Sequence, residues 1–157
     1  MNCAALPAAT RFTFSPCRRT EPLRFALATT CWAALGAASA ATAAGLGDGL
    51  YSSEQAARGA EAYRATCSSC HALDLRGNSN SPGLRGIGFL FVWEGRSLGE
   101  FYTQMRTTMP QESPGSLTEG QYLDILAYIL EQNEYPAGGA DLANASGELD
   151  TVVISAP

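Results

Sequence analysis

Cys67-Ser68-Ser69-Cys70-His71 is the stretch that decides the reading of this chain. Two cysteines separated by two residues and followed at once by histidine form the C-x-x-C-H pattern of covalent c-type haem attachment. Two thiols on one turn of backbone can each add across a vinyl group of a haem. The next residue is then carried beneath the iron, which makes His71 the proximal ligand. Rival readings of the cysteine pair each need something more. Structural zinc needs a second pair of ligands, yet His71 is the only histidine, and the other cysteines, Cys3, Cys17 and Cys31, all lie in an N-terminal leader. A thioredoxin-like pair follows a strand in a βαβ unit, whereas the residues before Cys67 read as helix. A disulfide closed across two residues would constrain little of the chain.

The sixth iron ligand is approached by elimination. The chain has no second histidine and no lysine, so methionine remains, and beyond the leader only Met105 and Met109 are available. Met105 continues an apolar helical stripe, where methionine is more often core filler. Met109 precedes Pro110, and proline disfavours the α conformation in the residue before it. Met109 is therefore expected in extended backbone, from which a thioether can be swung onto iron, and it is preferred to Met105. An open or water-ligated site is the remaining alternative.

The leader bears on location. An apolar stretch from Phe25 to Ala38 follows Arg18, Arg19 and Arg24 and precedes Ala41-Thr42-Ala43. This is the pattern of a secretory signal peptide over residues 1–43, with cleavage near Ala43 and a periplasmic product. The alternative is a retained membrane anchor, since Phe25 to Leu46 is almost long enough to span a bilayer, although its Ala, Gly and Thr content makes it weakly apolar. From Ala44 onward, six arginines stand against fourteen carboxylates, a formal charge of −8. A chain of that sign is no nucleic-acid binder. It repels anionic surfaces as a whole, and membrane association is not expected once the leader is removed.

Residues 44–136 are read as one small domain and 137–157 as a C-terminal tail, folded back or free, with one β-prone run at Val152-Val153-Ile154. Three main helices are expected, which makes the fold all-α. The first opens at the capping box Ser52-Ser53-Glu54-Gln55 and runs towards Thr66, with Ala56, Gly59, Ala60 and Tyr63 on one face. Gly59 costs about 1 kcal/mol of helix stability relative to Ala, which points to close approach of another helix, the alternative being a tolerated surface glycine. The second opens at Ser97-Leu98-Gly99-Glu100, carries Leu98, Phe101, Tyr102 and Met105, and stops by Thr108. The third opens with Thr118 and Gln121, is stapled by Leu117 and Tyr122, buries a stripe of Tyr122, Ile125, Leu126 and Ile129, and ends at Asn133 and Pro136. Asp74 to Arg96 is rich in Gly, Asn, Ser and Pro and is expected to form loops around the cofactor.

Taken in order, the haem motif, Pro82-Gly83-Leu84 with Gly86, Met109-Pro110 and the helix from Tyr122 to Leu130 resemble monohaem class I cytochromes c over about residues 52–136. The resemblance implies a class I cytochrome c fold wrapped around one covalent haem c. It also implies that Pro82 offers its backbone carbonyl to the free ring nitrogen of His71, and that the terminal helices cross at Gly59 and Tyr63. A narrower likeness rests on Trp93-Glu94-Gly95-Arg96-Ser97-Leu98, Thr108-Met109-Pro110, Pro114-Gly115-Ser116-Leu117 and Ala127-Tyr128-Ile129-Leu130. These runs are similar to cytochrome domains that accompany bacterial pyrroloquinoline-quinone dehydrogenases. In such relatives an aromatic and a basic group near that loop contact the haem propionates, a role that would fall to Trp93 and Arg96; the alternative is a tryptophan under a surface loop and an arginine in solvent.

The expected function is that of a periplasmic single-electron carrier and not an enzyme. It would take electrons from a dehydrogenase, of which quinoproteins are one candidate, and pass them to a cytochrome or oxidase. Two alternatives stay open. One is a membrane-anchored cytochrome subunit of a respiratory complex, and the other a haem peroxidase or gas sensor with an open distal site.

Overall fold

Helix ends and one close helix crossing organise the chain. A computed structural model describes residues 45–157. The leader, its cysteines and its expected cleavage point lie outside the described residues. Five helices follow in order: α1 (Ser53–Thr66), α2 (Ser68–His71), α3 (Gly86–Trp93), α4 (Leu98–Thr108) and α5 (Glu119–Gln132). Three long helices appear where the capping residues place them, and the architecture is all-α.

The caps follow the sequence with one exception. At α4, Ser97 Oγ accepts from the Glu100 N–H at 3.0 Å and the Glu100 carboxylate accepts from the Ser97 N–H at 3.1 Å, a complete box. Thr118 and Gln121 do the same for α5. At α1, Ser52 Oγ accepts from the Gln55 N–H at 3.0 Å, but the reciprocal half is missing. The Gln55 amide is buried and turns instead to Leu142, donating to its carbonyl at 3.1 Å and accepting from its N–H at 2.6 Å. A buried amide needs both its donor and its acceptor satisfied, and a backbone peptide of the C-terminal segment offers both.

The crossing of α1 and α5 is the closest in the fold. A Cβ built on Gly59 would collide with the backbone carbonyl of Asp124 and stand 2.9 Å from Tyr128 Cβ. One turn along, Tyr63 and Tyr128 pack at 5.4 Å between ring centroids, while Arg58 bridges Asp124 at 3.1 Å and Asp141 at 2.7 Å. The apolar stripe of α5 is buried as expected, and Leu123, Ala127 and Leu130 widen it. On α4, Leu98, Phe101, Tyr102 and Met105 are all buried.

One expectation needs correction: Asp74 to Arg96 is not wholly loop, because Gly86–Trp93 forms α3. Its sequence, Gly-Ile-Gly-Phe-Leu-Phe-Val-Trp, combines glycines with aromatic and β-branched residues, all weak helix formers, and has no polar face to mark a period. Tertiary packing makes it helical. Phe89 and Trp93, four residues apart, are buried, and both meet Phe101 of α4 edge-on, at 5.3 and 4.7 Å between centroids.

The segment after Pro136 packs on the helices, burying Leu142, Leu149, Val152 and Ile154. Its end runs beside the start of α4: the Gly95 N–H donates to Ile154 O at 2.8 Å, the Ile154 N–H to Arg96 O at 2.8 Å, and the Leu98 N–H to Val152 O at 2.7 Å. Tyr51 donates its hydroxyl to Tyr135 O at 2.6 Å, and Tyr135 donates to Ser155 O.

Gly59→Ala is expected to destabilise the domain by about 1–3 kcal/mol, because an added methyl at a backbone crossing must force α1 from α5. Gly120→Ala, where an added Cβ would meet nothing within 4 Å, should be neutral or stabilising by up to about 1 kcal/mol. Paired thermal melts of the two variants check this.

Candidate functional site

The site grows from the end of α1. The Cys67 N–H still bonds to Tyr63 O at 2.8 Å, and the chain then tightens into α2, where the N–H groups of Cys70 and His71 bond to Cys67 O at 3.2 and 3.0 Å. One helical turn therefore carries both thiols and the imidazole. Ala72 leaves that turn with a positive φ of 65°, an uncommon conformation for a residue with a Cβ. The Tyr63 hydroxyl fixes it by donating to Ala72 O at 2.7 Å. From the other side, the Asn78 amide donates to Cys70 O at 2.8 Å.

The next loop folds back beneath His71. Its ends are tied by the Leu84 N–H to Leu75 O bond at 2.7 Å and by the Gly77 N–H to His71 O bond at 3.0 Å. Gly77 has a φ of +70°, and a Cβ there would strike the Ser81 carbonyl, so glycine is required. The fold-back brings Pro82 O to 2.9 Å from His71 Nδ1. A carbonyl can only accept, so Nδ1 carries the proton and Nε2 keeps its lone pair for a metal. His71 is 7% exposed.

Across the cavity, Met109 caps α4 in extended backbone at φ −123°, ψ 151°. Its N–H bonds to Met105 O at 2.9 Å, and its carbonyl accepts from the Tyr122 hydroxyl at 2.7 Å. The strand-like geometry that proline imposes is thus pinned to α5.

Cys67, Cys70, His71, Pro82, Trp93, Arg96 and Met109 all line one cavity of about 790 Å³. Met105 lines it too, so geometry brings both methionines to the site. Trp93 is buried, and the Arg96 guanidinium lies 4.3 Å over its ring while Arg96 Nε approaches Glu100 at 3.5 Å. The arginine stays about half exposed while it lies over the tryptophan at the cavity wall. Cys67 and Cys70 are free thiols, the first half-buried and the second exposed. Burial pushes the Cys67 thiol above its ordinary range, opposed by a hydrogen bond from Thr66. Among the described residues no group of three or more His, Cys, Asp or Glu side chains gathers, so the zinc reading finds no ligand set.

The donor set fits haem. Two free thiols, an imidazole with one nitrogen committed to a carbonyl, and a thioether share one apolar-walled cavity whose volume lies within the roughly 300–1,000 Å³ of ligand pockets. Sequence reasoning did not single out Tyr122 or Asn133 for the site. Asn133 donates to Leu84 O at 2.9 Å and to Ile129 O at 2.8 Å and accepts from the Gly86 N–H at 2.8 Å, pinning the loop after Pro82 to the end of α5. Its only signal was a helix-terminal Asn, which is read first as a stop.

Residues 54–129 match the family described as cytochrome C oxidase, cbb3-type, subunit III. The fold is an all-α cytochrome c fold. The chain is also 34% identical over 86 residues to the cytochrome bc1 complex cytochrome c subunit of Corynebacterium diphtheriae. That alignment covers 53% of this chain and 29% of the relative, so the chain spans about three tenths of the length of the curated relative it matches. No solved structure matches. The cytochrome c similarity supports a covalent haem c and haem-based electron transfer between redox proteins. It does not extend to the pyrroloquinoline-quinone dehydrogenase likeness.

Tyr122→Phe removes the shorter of two donors to Met109 O and leaves the Gly115 N–H at 3.4 Å, so the loss is that of one hydrogen bond, about 0.5–1.5 kcal/mol. The variant should fold, and with haem bound, a methionine–iron absorption band, where Met109 supplies it, should be lost at lower temperature and lower denaturant than in the parent. Parallel melts followed at the band and by far-UV circular dichroism check whether the ligand loop opens first.

Proposed function

We propose that this chain is a single-electron carrier with one covalent haem c, held by Cys67 and Cys70 and ligated by His71 and Met109, working on the periplasmic side of a bacterial membrane. The observation that carries the reading is the convergence of these four side chains on one cavity, with Pro82 O at 2.9 Å from His71 Nδ1. When bound, the haem supplies a one-electron ferric/ferrous couple. Everything else falls to the protein. Cys67 and Cys70 provide the thioether bonds, and the position of Cys70 at the exposed rim leaves that edge open to a partner. Pro82 fixes the imidazole plane and raises its basicity. Met109, tied through Tyr122, would close the distal side, and this favours a carrier over a peroxidase or gas sensor, which need that position open. Methionine opposite histidine raises the potential relative to two nitrogen ligands. Trp93 and Arg96 line the same cavity, and we assign them to the haem propionates.

The signal peptide over residues 1–43 and the periplasmic location belong to this proposal, as does a dehydrogenase donor, quinoproteins being the first class to test. A second reading is a subunit of a larger respiratory assembly, retained through the leader. It is favoured by the two comparisons, both named for subunits, one of a cytochrome c oxidase and one of a cytochrome bc1 complex. Among the described residues no helix is long and apolar enough to cross a membrane, so retention would have to come from elsewhere.

Optical spectra of the purified holoprotein test the ligands. The oxidised form should show the weak far-red band of methionine–iron ligation, Met109→Ala should abolish it, and Met105→Ala should keep it while losing about 2–5 kcal/mol of stability through the cavity left in the core. A band that survives in Met109→Ala overturns the assignment. The parent haem should resist acid-acetone extraction, and Cys67→Ser or Cys70→Ser should weaken or prevent covalent attachment, read as a lower yield of holoprotein. Mass spectrometry of soluble and membrane fractions separates the two readings: a start near Ala44 in the soluble fraction supports the carrier, and intact Phe25 to Ala43 in membranes supports the subunit.

A further inference from the structure

The two faces of α3 differ in what they meet. Phe89 and Trp93 point into the core, whereas Ile87 and Phe91, four residues apart on the opposite face, are 88% and 90% exposed. Single exposed apolar side chains are ordinary, but two large ones side by side on one helix turn are a contiguous patch that water solvates poorly. No residue of α3 bears a charge.

The surroundings of this patch are unlike the rest of the domain. Between Asp74 and Glu94 the chain runs nineteen residues without a carboxylate, the longest such interval after the leader, and the charges it holds are Arg76 and Arg85. Both belong beside α3. Arg85 is its N-cap residue. Arg76 lies in the loop packed on it, since the Cβ position of Gly88 is 3.5 Å from Gly83, whose own Cβ position is 3.0 Å from Arg76 O. Arg85 has no carboxylate within 4.0 Å among the described residues, while Arg76 faces Asp74 loosely at 3.6 Å. An otherwise acidic domain thus carries, on α3 and at the chain next to it, an exposed apolar pair with Arg85 at the helix start and Arg76 in the adjoining loop.

We propose that the outer face of α3, with Ile87 and Phe91 beside Arg76 and Arg85, docks the domain on an anionic lipid bilayer. The two side chains enter the boundary between headgroups and acyl chains, and the guanidinium groups meet lipid phosphates. A second copy is a poorer occupant, because a two-fold contact through this face would set Arg76 and Arg85 against their own counterparts and bring two strongly acidic domains together. A protein pocket is also less favoured. Its register would need directional polar groups, and this face of α3 offers none, whereas a lipid surface asks for no register. Docked in this way, the wall of the cavity formed by Val92 and Trp93 would lie one helix thickness from the membrane. The inference rests on the reading above and departs from the expectation that the acidic domain stays off membranes without its leader: the charge of −8 opposes an anionic surface as a whole, and docking is confined to this one face.

Co-sedimentation with vesicles tests it, using holoprotein and variants matched at their N-termini by mass spectrometry. The parent should bind mixed phosphatidylglycerol/phosphatidylcholine vesicles, and binding should weaken with salt and be much reduced on phosphatidylcholine alone. Ile87→Ser with Phe91→Ser should weaken binding about tenfold or more, and Arg76→Gln with Arg85→Gln by about tenfold. Val153→Ser, an exposed apolar position elsewhere, should change nothing. All variants should keep the parent haem spectrum and electron exchange in solution, so that loss of docking is read apart from loss of the redox site. A parent that stays in the supernatant with both vesicle types overturns the proposal. So does binding indifferent to the Ile87 and Phe91 changes, or a dimer of the parent in analytical ultracentrifugation that those changes dissolve.

Discussion

The α1–α5 crossing at Gly59 is the contact on which both halves of the site depend. Backbone meets backbone there, with no side chain between to absorb error, so the two helices are held at a fixed separation. The end of α1 delivers Cys67, Cys70 and His71. The start of α5 delivers Tyr122 to the carbonyl of Met109, and its end delivers Asn133 to the loop that carries Pro82. Proximal and distal sides of the cavity are thereby referred to one rigid pair, although the residues concerned lie almost forty positions apart in sequence. A shift of α5 against α1 would move the thioether relative to the imidazole, and the proposed ligation would tolerate little of that.

Several polar side chains around the cavity are committed to the backbone. Tyr63 holds Ala72, Asn78 holds Cys70, and Asn133 holds Leu84 and Gly86. The Tyr63 and Asn133 bonds satisfy part-buried carbonyl and N–H groups, where an unmade hydrogen bond is expensive, while the Asn78 bond fixes Cys70 at the exposed rim. The loops around the site can be irregular because these side chains replace the ladder bonds that they lack. Such fixed surroundings also suit one-electron chemistry, since a ligand shell that does not rearrange between oxidation states adds little to the barrier.

Much of this was legible in the chain because it rests on local rules. Capping boxes opened α4 and α5, proline forced Met109 out of helix, and the spacing of Cys67, Cys70 and His71 announced their chemistry. What stayed hidden depends on partners distant in sequence. α3 looks like loop because its residues favour helix only once Phe89 and Trp93 have Phe101 to pack on. Gln55 has the spacing of a capping residue, yet its amide is taken by Leu142, eighty-seven residues away. Tyr122 reads as an apolar residue in a stripe; its hydroxyl becomes informative only when Met109 O stands before it. Even where the methionine stripe was read correctly, the sequence could not tell that Met105 would reach the same cavity.

The segment after Pro136 follows from the size of the core. A domain of little more than a hundred residues buries a modest fraction of its surface, and here a large cavity for a cofactor is set into the middle of that core. The helices alone would leave Tyr51, Gln55 and the first turn of α4 open to water. Leu142, Leu149, Val152 and Ile154 cover them, and the same segment supplies backbone partners to Gly95, Arg96 and Leu98. Because Arg96 lies over Trp93 at the cavity wall, the bonds from Ile154 fix the peptide from which that guanidinium projects. The chain end that sequence composition marks as a tail thus sets the wall of the site opposite the haem motif, and it belongs to the same folding unit as the helices that carry the ligands.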